Sequence, residues 1–203
     1  IELRNSFNAI TVDSDTSTND TVLAFATGKA MEDKDERIIS RTSDPRLIKF
    51  REAFSEVMHD LAIQIVKDGE GAKKLIEIKV SGAENTSSAK KIARSIADSP
   101  LVKTAVGASD PNWGRIIMAI GKVKEKINPK KISLNIGSNT IIKNGEISRS
   151  YSESRTKKYM KGKDILLDIN LGLGNSFSQI WTCDLTEDYI KINADYRLSL
   201  IHI

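Results

Sequence analysis

"DLAIQIVKDGEGAKKLIEIKVSGA", residues 60–83, joins two hydrophobic periodicities through a glycine-flanked turn, and the change between them decides the fold class. On the upstream side, Leu47, Phe50, Phe54, Val57, Met58, Leu61, Ile65 and Val66 recur largely three and four residues apart, one stripe of a helix. Ser43 or Asp44 offers an N-cap, and Pro45 suits the first helical position, where its missing N–H costs nothing. The expected helix, 45–68, is about 36 Å long at roughly 1.5 Å per residue. Gly69 is expected to end it in the left-handed conformation. His59, among polar neighbours, is expected to face water. Beyond the turn, Ile76, Ile78 and Val80 alternate with Glu77 and Lys79, the signature of a half-buried strand. Glu70 lies at the joint, and on local sequence alone a polar turn residue is the simpler reading of it.

Outward from this joint, helical and strand patterns alternate. "NTSSAKKIARSIADSP" reads as a helix capped near Thr86 or Ser87, with Ala89, Ile92, Ala93 and Ile96 inward and Pro100 as its stop. "LVKTAVG" fits strand or helix, and "ASDPNWGRIIMAIG" reads as a tight turn opening a short apolar helix. "KISLNIGSNTIIKNGEI" carries a hairpin signal at Asn144-Gly145. "SYSESRTKKYMKGK" is a polar connection with helical parts, while "DILLDINLGLG" and "SFSQIWTCDL" read as strands. "TEDYIKINADYR" stays open between strand and helix. Near the start, "FNAITVD" reads as a strand feeding the polar cluster "DSDTSTND" (13–20), either a chain of side-chain-capped turns or a plain loop. "TVLAFATG" (21–28) resumes an apolar run, and "KAMEDKDERIISRTS" is a charged surface segment. Strands and helices thus mix without a strict βαβ repeat, so the expected class is α/β, with layered mixed sheets and packed helices.

Composition narrows the function classes. Of 203 residues, 39% are apolar, enough for a sizeable core in one domain or two small layers. The net charge of +4 invites a nucleic-acid reading, but the lysines are scattered and aromatics are only 5%, so a solvated basic surface is the better one. Cys183 is the sole cysteine, which excludes an internal disulfide, and in "SQIWTCDL" it reads as a buried small hydrophobe. With His59 and His202 the only histidines, no metal site is expected. No apolar run reaches the ~18 residues of a membrane span and no signal peptide opens the chain, so no membrane partner and a cytoplasmic location are expected. Residue 1 is not methionine, and the expectation is that an upstream part is missing; the tail "LSLIHI" fits no packed element. Phosphate-binding loops, nucleophile elbows, zinc-protease helices and dinucleotide fingerprints are all absent from the sequence.

Four stretches go further. "FNAITVDSDTSTNDTVLAFATG", "DLAIQIVKDGEGAKKLIEIKVSGA", "SPLVKTAVGASDPNWGRIIMAIG" and "WTCDLTEDYIKINADYR" resemble, in order and spacing, the ornithine acetyltransferase family, over about residues 6–197. This is the dual glutamate N-acetyltransferase and ornithine acetyltransferase family of the cyclic arginine pathway. The resemblance implies a layered α/β fold similar to that of self-cleaving ornithine acetyltransferases and aminopeptidase-like proteins. It implies a precursor that cleaves itself before a threonine, leaving a smaller N-terminal (alpha) chain and a larger C-terminal (beta) chain. The new terminal threonine takes acetyl from N-acetylornithine and passes it to glutamate, a ping-pong cycle; a hydroxyl beside a free amine has a built-in base.

Only five residues precede Ser6 and none is threonine, so the nucleophilic threonine and the oxyanion hole are expected upstream. Residues 1–203 are then most of the beta subunit, with no catalytic residue of their own and no activity alone. Carried over position by position, the substrate contacts are Glu70 of "DGEGA" and Asn193 of "INADYR". A carboxylate suits the ornithine ammonium, and an amide can donate to a carboxylate or accept from an amine. The family's hydroxyl residue five positions after that asparagine falls here on Leu198, with Ser199 one later, and is not carried over. Thr16, Thr18 and Asn19 of "DTSTND", and Trp113 and Arg115 of "DPNWGR", remain family markers without assigned roles. No cofactor is expected; acetyl-CoA stays open as a co-substrate. The implied partners are N-acetylornithine, glutamate and the alpha chain, in a heterotetramer of two alpha and two beta chains. Competing readings are a self-cleaving amidase or aminopeptidase, with water as acceptor, and a non-catalytic or nucleic-acid-binding module.

Overall fold

The computed structural model describes residues 2–16, 21–29 and 39–194. Its centre is one six-stranded mixed sheet with strand order β4-β3-β2-β5-β1-β6. The strands are β1 (Leu75–Ala83), β2 (Ser133–Ile136), β3 (Asn139–Lys143), β4 (Glu146–Ile147), β5 (Asp164–Asn170) and β6 (Ser176–Cys183). Only β1 and β5 run parallel; the other neighbours are antiparallel. In register, Ile78 lies opposite Leu167 on one side and Ile180 on the other. With Ile76, Val80, Ile165 and Ile169, these side chains form a fully buried aliphatic layer on one face of the sheet.

That layer is roofed by α2 (Thr86–Ala97), which brings down Ala89, Ile92, Ala93, Ile96 and Ala97, all buried. The three alanines let the helix axis approach the sheet closely, and α4 (Trp113–Gly121) extends the roof with Ile116, Ala119 and Ile120. The opposite face is polar: Glu77 pairs with Lys79 at 2.9 Å and accepts from Gln179, and Asn135 donates to Asp168 at 3.3 Å. Alternation along β1, β2 and β5 therefore separates a greasy face from a polar one. The hairpin at Asn144-Gly145 joins β3 to β4, and both residues take positive φ, 50° and 81°, as a tight two-residue hairpin turn requires.

Several expectations need correcting. The main helix, α1 (Ile48–Lys67), follows a 3-10 turn at Pro45–Leu47 that Asp44 caps by accepting from the Arg46 N–H at 2.9 Å. It buries Met58, Ala62 and Val66, whereas Phe50 (61% exposed), Val57 (55%), Leu61 (45%) and Ile65 (42%) remain in the open. Only one seam of the apolar stripe meets β6 and the N-terminal segment. On that seam the His59 ring packs edge-on against Trp181, centroids 4.6 Å apart, so His59 does not simply face water. "FNAITVD" is not a strand. It holds a 3-10 turn at Phe7–Ala9 and a single bridge from Ile10 to Trp181, because the Arg94 guanidinium takes the Asn8 and Ile10 carbonyls that a neighbouring strand would have used.

Asn85, not Thr86 or Ser87, caps α2, and Pro100 opens α3 (Pro100–Gly107) one residue after its Ser99 cap. The polar connection "SYSESRTKKYMKGK" carries α5 (Glu153–Met160), and "TEDYIKINADYR" forms α6 (Glu187–Ala194) rather than a strand. Thr18, Asn19, most of the charged segment after Gly28, and the tail with Arg197, Leu198 and Ser199 lie outside the described residues.

Candidate functional site

Glu70 is exposed on the turn between α1 and β1. The left-handed residue there is Gly71, φ 69°, rather than the expected Gly69. Gly69 is required by space instead: a Cβ would lie 2.9 Å from a Val12 methyl and 3.3 Å from the Cys183 sulfur. At Gly71 a Cβ would come within 2.5 Å of the Tyr189 backbone nitrogen and 2.8 Å of the Asp188 carbonyl carbon. The Glu70 turn is thus pressed against the first turn of α6.

Polar contacts fix that approach. The Thr186 hydroxyl donates to the Gly71 carbonyl at 2.8 Å. One oxygen of Asp184, directly after β6, accepts from the Lys73 and Lys74 N–H groups at 2.8 and 2.9 Å. Asp184 is buried and its other oxygen makes no hydrogen bond among the described residues. A carboxylate receiving two backbone donors is a rigid staple. Lys73 adds an ion pair to Asp188 at 2.7 Å; that contact holds the lysine above its ordinary value and, with Lys191, the Asp188 carboxyl below its own. The Lys74 ammonium reaches the carbonyls of Val106 and Met160 and the Ser109 hydroxyl at 2.7–2.8 Å, tying the ends of α3 and α5 to the same turn.

A third strand of chain completes the surroundings. The Tyr189 hydroxyl donates to Asp13 at 2.9 Å. Burial first, then the bond to Asp13, pushes the Tyr189 phenol up to about 12, with the Glu70 and Asp15 charges acting in the same direction. Asp13 and Thr11 also accept from the N–H groups of Asp15 and Ser14 at 3.0 and 3.2 Å, so the described part of "DSDTSTND" is a set of side-chain-capped turns. The Glu70, Asp13 and Asp15 charges thus all act on the Tyr189 phenol near the start of α6, where Lys73 and Lys191 pair with Asp188.

Asn193 stands one helical turn after Tyr189, exposed, with its amide donating to the Tyr189 carbonyl at 3.0 Å. Its amide oxygen remains available as an acceptor. The two residues singled out in the sequence therefore lie on two elements in direct contact, the 69–72 turn and α6. Cys183 is buried, and burial raises its thiol above the ordinary value, in keeping with a small hydrophobe. The "DPNWGR" stretch serves structure at Arg115, which donates to the Leu101 carbonyl at 2.8 Å and the Thr104 hydroxyl at 3.2 Å, locking α4 onto α3. Trp113 lines a shallow depression of about 330 Å³ with Asp110, Asn112, Tyr151 and Glu153.

Sequence reasoning missed Asp13, Asp184, Thr186 and Tyr189. One signal was visible: Lys103 is the only charge in the apolar run "PLVKTAVG", and it is 3% exposed in the fold. Among the described residues no group of His, Cys, Asp or Glu could hold a metal ion, and no helix is long and apolar enough to cross a membrane.

One mixed sheet, helices over its aliphatic face and an exposed carboxylate turn stapled to a helix start define an α/β protein with a polar surface at that contact. Comparison with known proteins makes the assignment specific. The chain belongs to the ArgJ family, whose model matches residues 2–198. It is 50% identical over 192 residues to the arginine biosynthesis bifunctional protein ArgJ of Agrobacterium fabrum, covering 95% of this chain and 46% of that protein. It is 48% identical over 192 residues to the protein of the same name from Brucella suis, again 95% and 46% of the two lengths. The chain therefore spans about half the length of the curated relatives it matches. The crystal structure of arginine biosynthesis bifunctional protein ArgJ from Bacillus halodurans superposes with a TM-score of 0.87 at 42% identity, over 96% of this chain and 89% of that one.

Proposed function

We propose that this chain is the greater part of the C-terminal subunit of an ornithine acetyltransferase, moving acetyl from N-acetylornithine to glutamate in arginine biosynthesis. The observation that carries the reading is the clamped contact between the Glu70 turn and α6, which bears Asn193, in a chain of this family.

In this reading the nucleophile is a threonine outside the chain, generated by self-cleavage. Its oxygen attacks the acetyl carbonyl of N-acetylornithine; the carbon–nitrogen bond breaks, a proton passes to the departing amine, and an acetyl-threonine ester remains. Glutamate then attacks through its amine, the ester bond breaks, and the proton lost by that amine returns to the threonine oxygen by way of a base. Two modest barriers replace one large one. Glu70 receives the side-chain ammonium of ornithine, with the charges of Asp13 and Asp15 behind it. Asn193 meets the carboxylate or amine common to both amino acids. Acetyl-CoA is a second donor to be tried, and no cofactor takes part. The working assembly pairs this subunit with the N-terminal chain, two of each, in the cytoplasm.

Glu70→Ala in the full-length precursor tests the reading. Self-cleavage and folding should persist while transfer falls by about 100-fold or more. Unchanged turnover with N-acetylornithine and glutamate would refute the assignment. Steady hydrolysis of the donor with no acetylglutamate formed would instead favour the amidase.

A further inference from the structure

Lys103 is buried under the segment that carries Asp13, yet it touches none of the residues assigned to substrate. Its ammonium donates to the Thr182 hydroxyl at 2.8 Å and to the Val12 carbonyl, with the Cys183 sulfur 3.8 Å away. A lysine in the interior carries a desolvation cost, and here burial does lower its proton affinity, while the Cys183, Asp98 and Asp184 groups facing it act to keep it charged. An apolar residue at this place would remove that cost at the expense of two unpaired acceptors. Its two acceptors lie on separate segments of the chain, so the ammonium holds them together.

What it holds is one end of a chain of contacts. Lys103 on α3 pins Val12 to Thr182 on β6. Beside it the Thr11 N–H donates to the Trp181 carbonyl at 3.0 Å. Asp13, the residue after Val12, accepts from the Tyr189 hydroxyl. Tyr189 sits over Gly71 and begins the turn of α6 that ends at Asn193.

We propose that Lys103 is a positioning residue for the substrate site: by clamping Val12 to β6 it fixes the Asp13 carboxylate, which through Tyr189 holds α6 and Asn193 in place beside Glu70. This rests on the reading of Glu70 and Asn193 as substrate contacts. Loss of the clamp lets α6 drift from the Glu70 turn, which weakens substrate capture more than the acetyl-transfer steps. Misplacing a binding group by a fraction of an ångström is enough for a measurable loss.

The test is a double-mutant cycle in the full-length, self-processed protein, read as KM for N-acetylornithine and as kcat. Lys103→Met and Tyr189→Phe should each raise KM by about tenfold with kcat changed far less, and the double variant should be no worse than either single one. A purely structural lysine would lower Tm without moving KM, or its effect would multiply with that of Tyr189→Phe; either result overturns the proposal. Should Lys103→Met not fold, Lys103→Gln, too short to span Thr182 and Val12, enters the cycle under the same prediction. If Glu70→Ala leaves turnover intact, the substrate site itself is misassigned. If Glu70→Ala is crippled while the Lys103 effects multiply, only the positioning role falls.

Discussion

Tyr189 shows how a single side chain near the site ties stability to pH. Its folded value of about 12 lies above the ordinary 10.0, so the folded state binds the phenolic proton more tightly. The stabilisation is complete below about pH 10 and is lost as pH rises toward about 12. Tyr189→Phe should therefore be less stable than the wild type by about 0.5–1.5 kcal/mol near neutrality, with the two unfolding curves converging at the alkaline end. A difference that stays constant from neutrality to about pH 12 would show that the bond to Asp13 does not control the proton. At this scale the sequence was informative about the turn that holds Glu70, because glycines on both sides of it mark a break between helix and strand. It was silent about Tyr189 and Asp13, which lie 176 residues apart, and no local pattern encodes such a pairing.

Elements were legible where one face decided their period. β1 and β5 bury alternate positions and α2 buries i, i+3, i+4 positions toward one apolar layer, so their patterns survive in the sequence. "FNAITVD" misled because β-branched residues there serve a bridge and an arginine clamp rather than a ladder. α5 and α6 were obscure because neither carries a wide apolar stripe; α5 buries only Thr156 and Met160, and α6 none. Two measurements follow for these elements in the full-length protein. Ile78→Ala, at the centre of the sheet and fully buried, should cost about 2–5 kcal/mol in chemical unfolding. Gly71→Ala should cost more than Gly28→Ala, although both have positive φ, because only at Gly71 would the added carbon strike the backbone of α6. Equal costs at the two glycines would mean that the Glu70 turn is not pressed on α6 as described.

Across the whole molecule, the aliphatic face of the sheet is covered, the polar face is half-buried, and Phe50, Val57, Leu61 and Ile65 of α1 are open. Pattern alone could not foresee this, since an apolar stripe reports that a surface is to be covered but not by which part of a protein. The fold class and the Glu70 turn were readable from a sequence that spans about half the length of the relatives it matches. The most direct measurement is the fate of a labelled acetyl group given to the full-length protein as N-acetylornithine and quenched before turnover. The label should appear on one threonine in about one copy per active site, leave as acetylglutamate when glutamate is added, and fail to load in Glu70→Ala. A protein that never carries the label, or that releases it to water at the same rate with and without glutamate, would contradict the account.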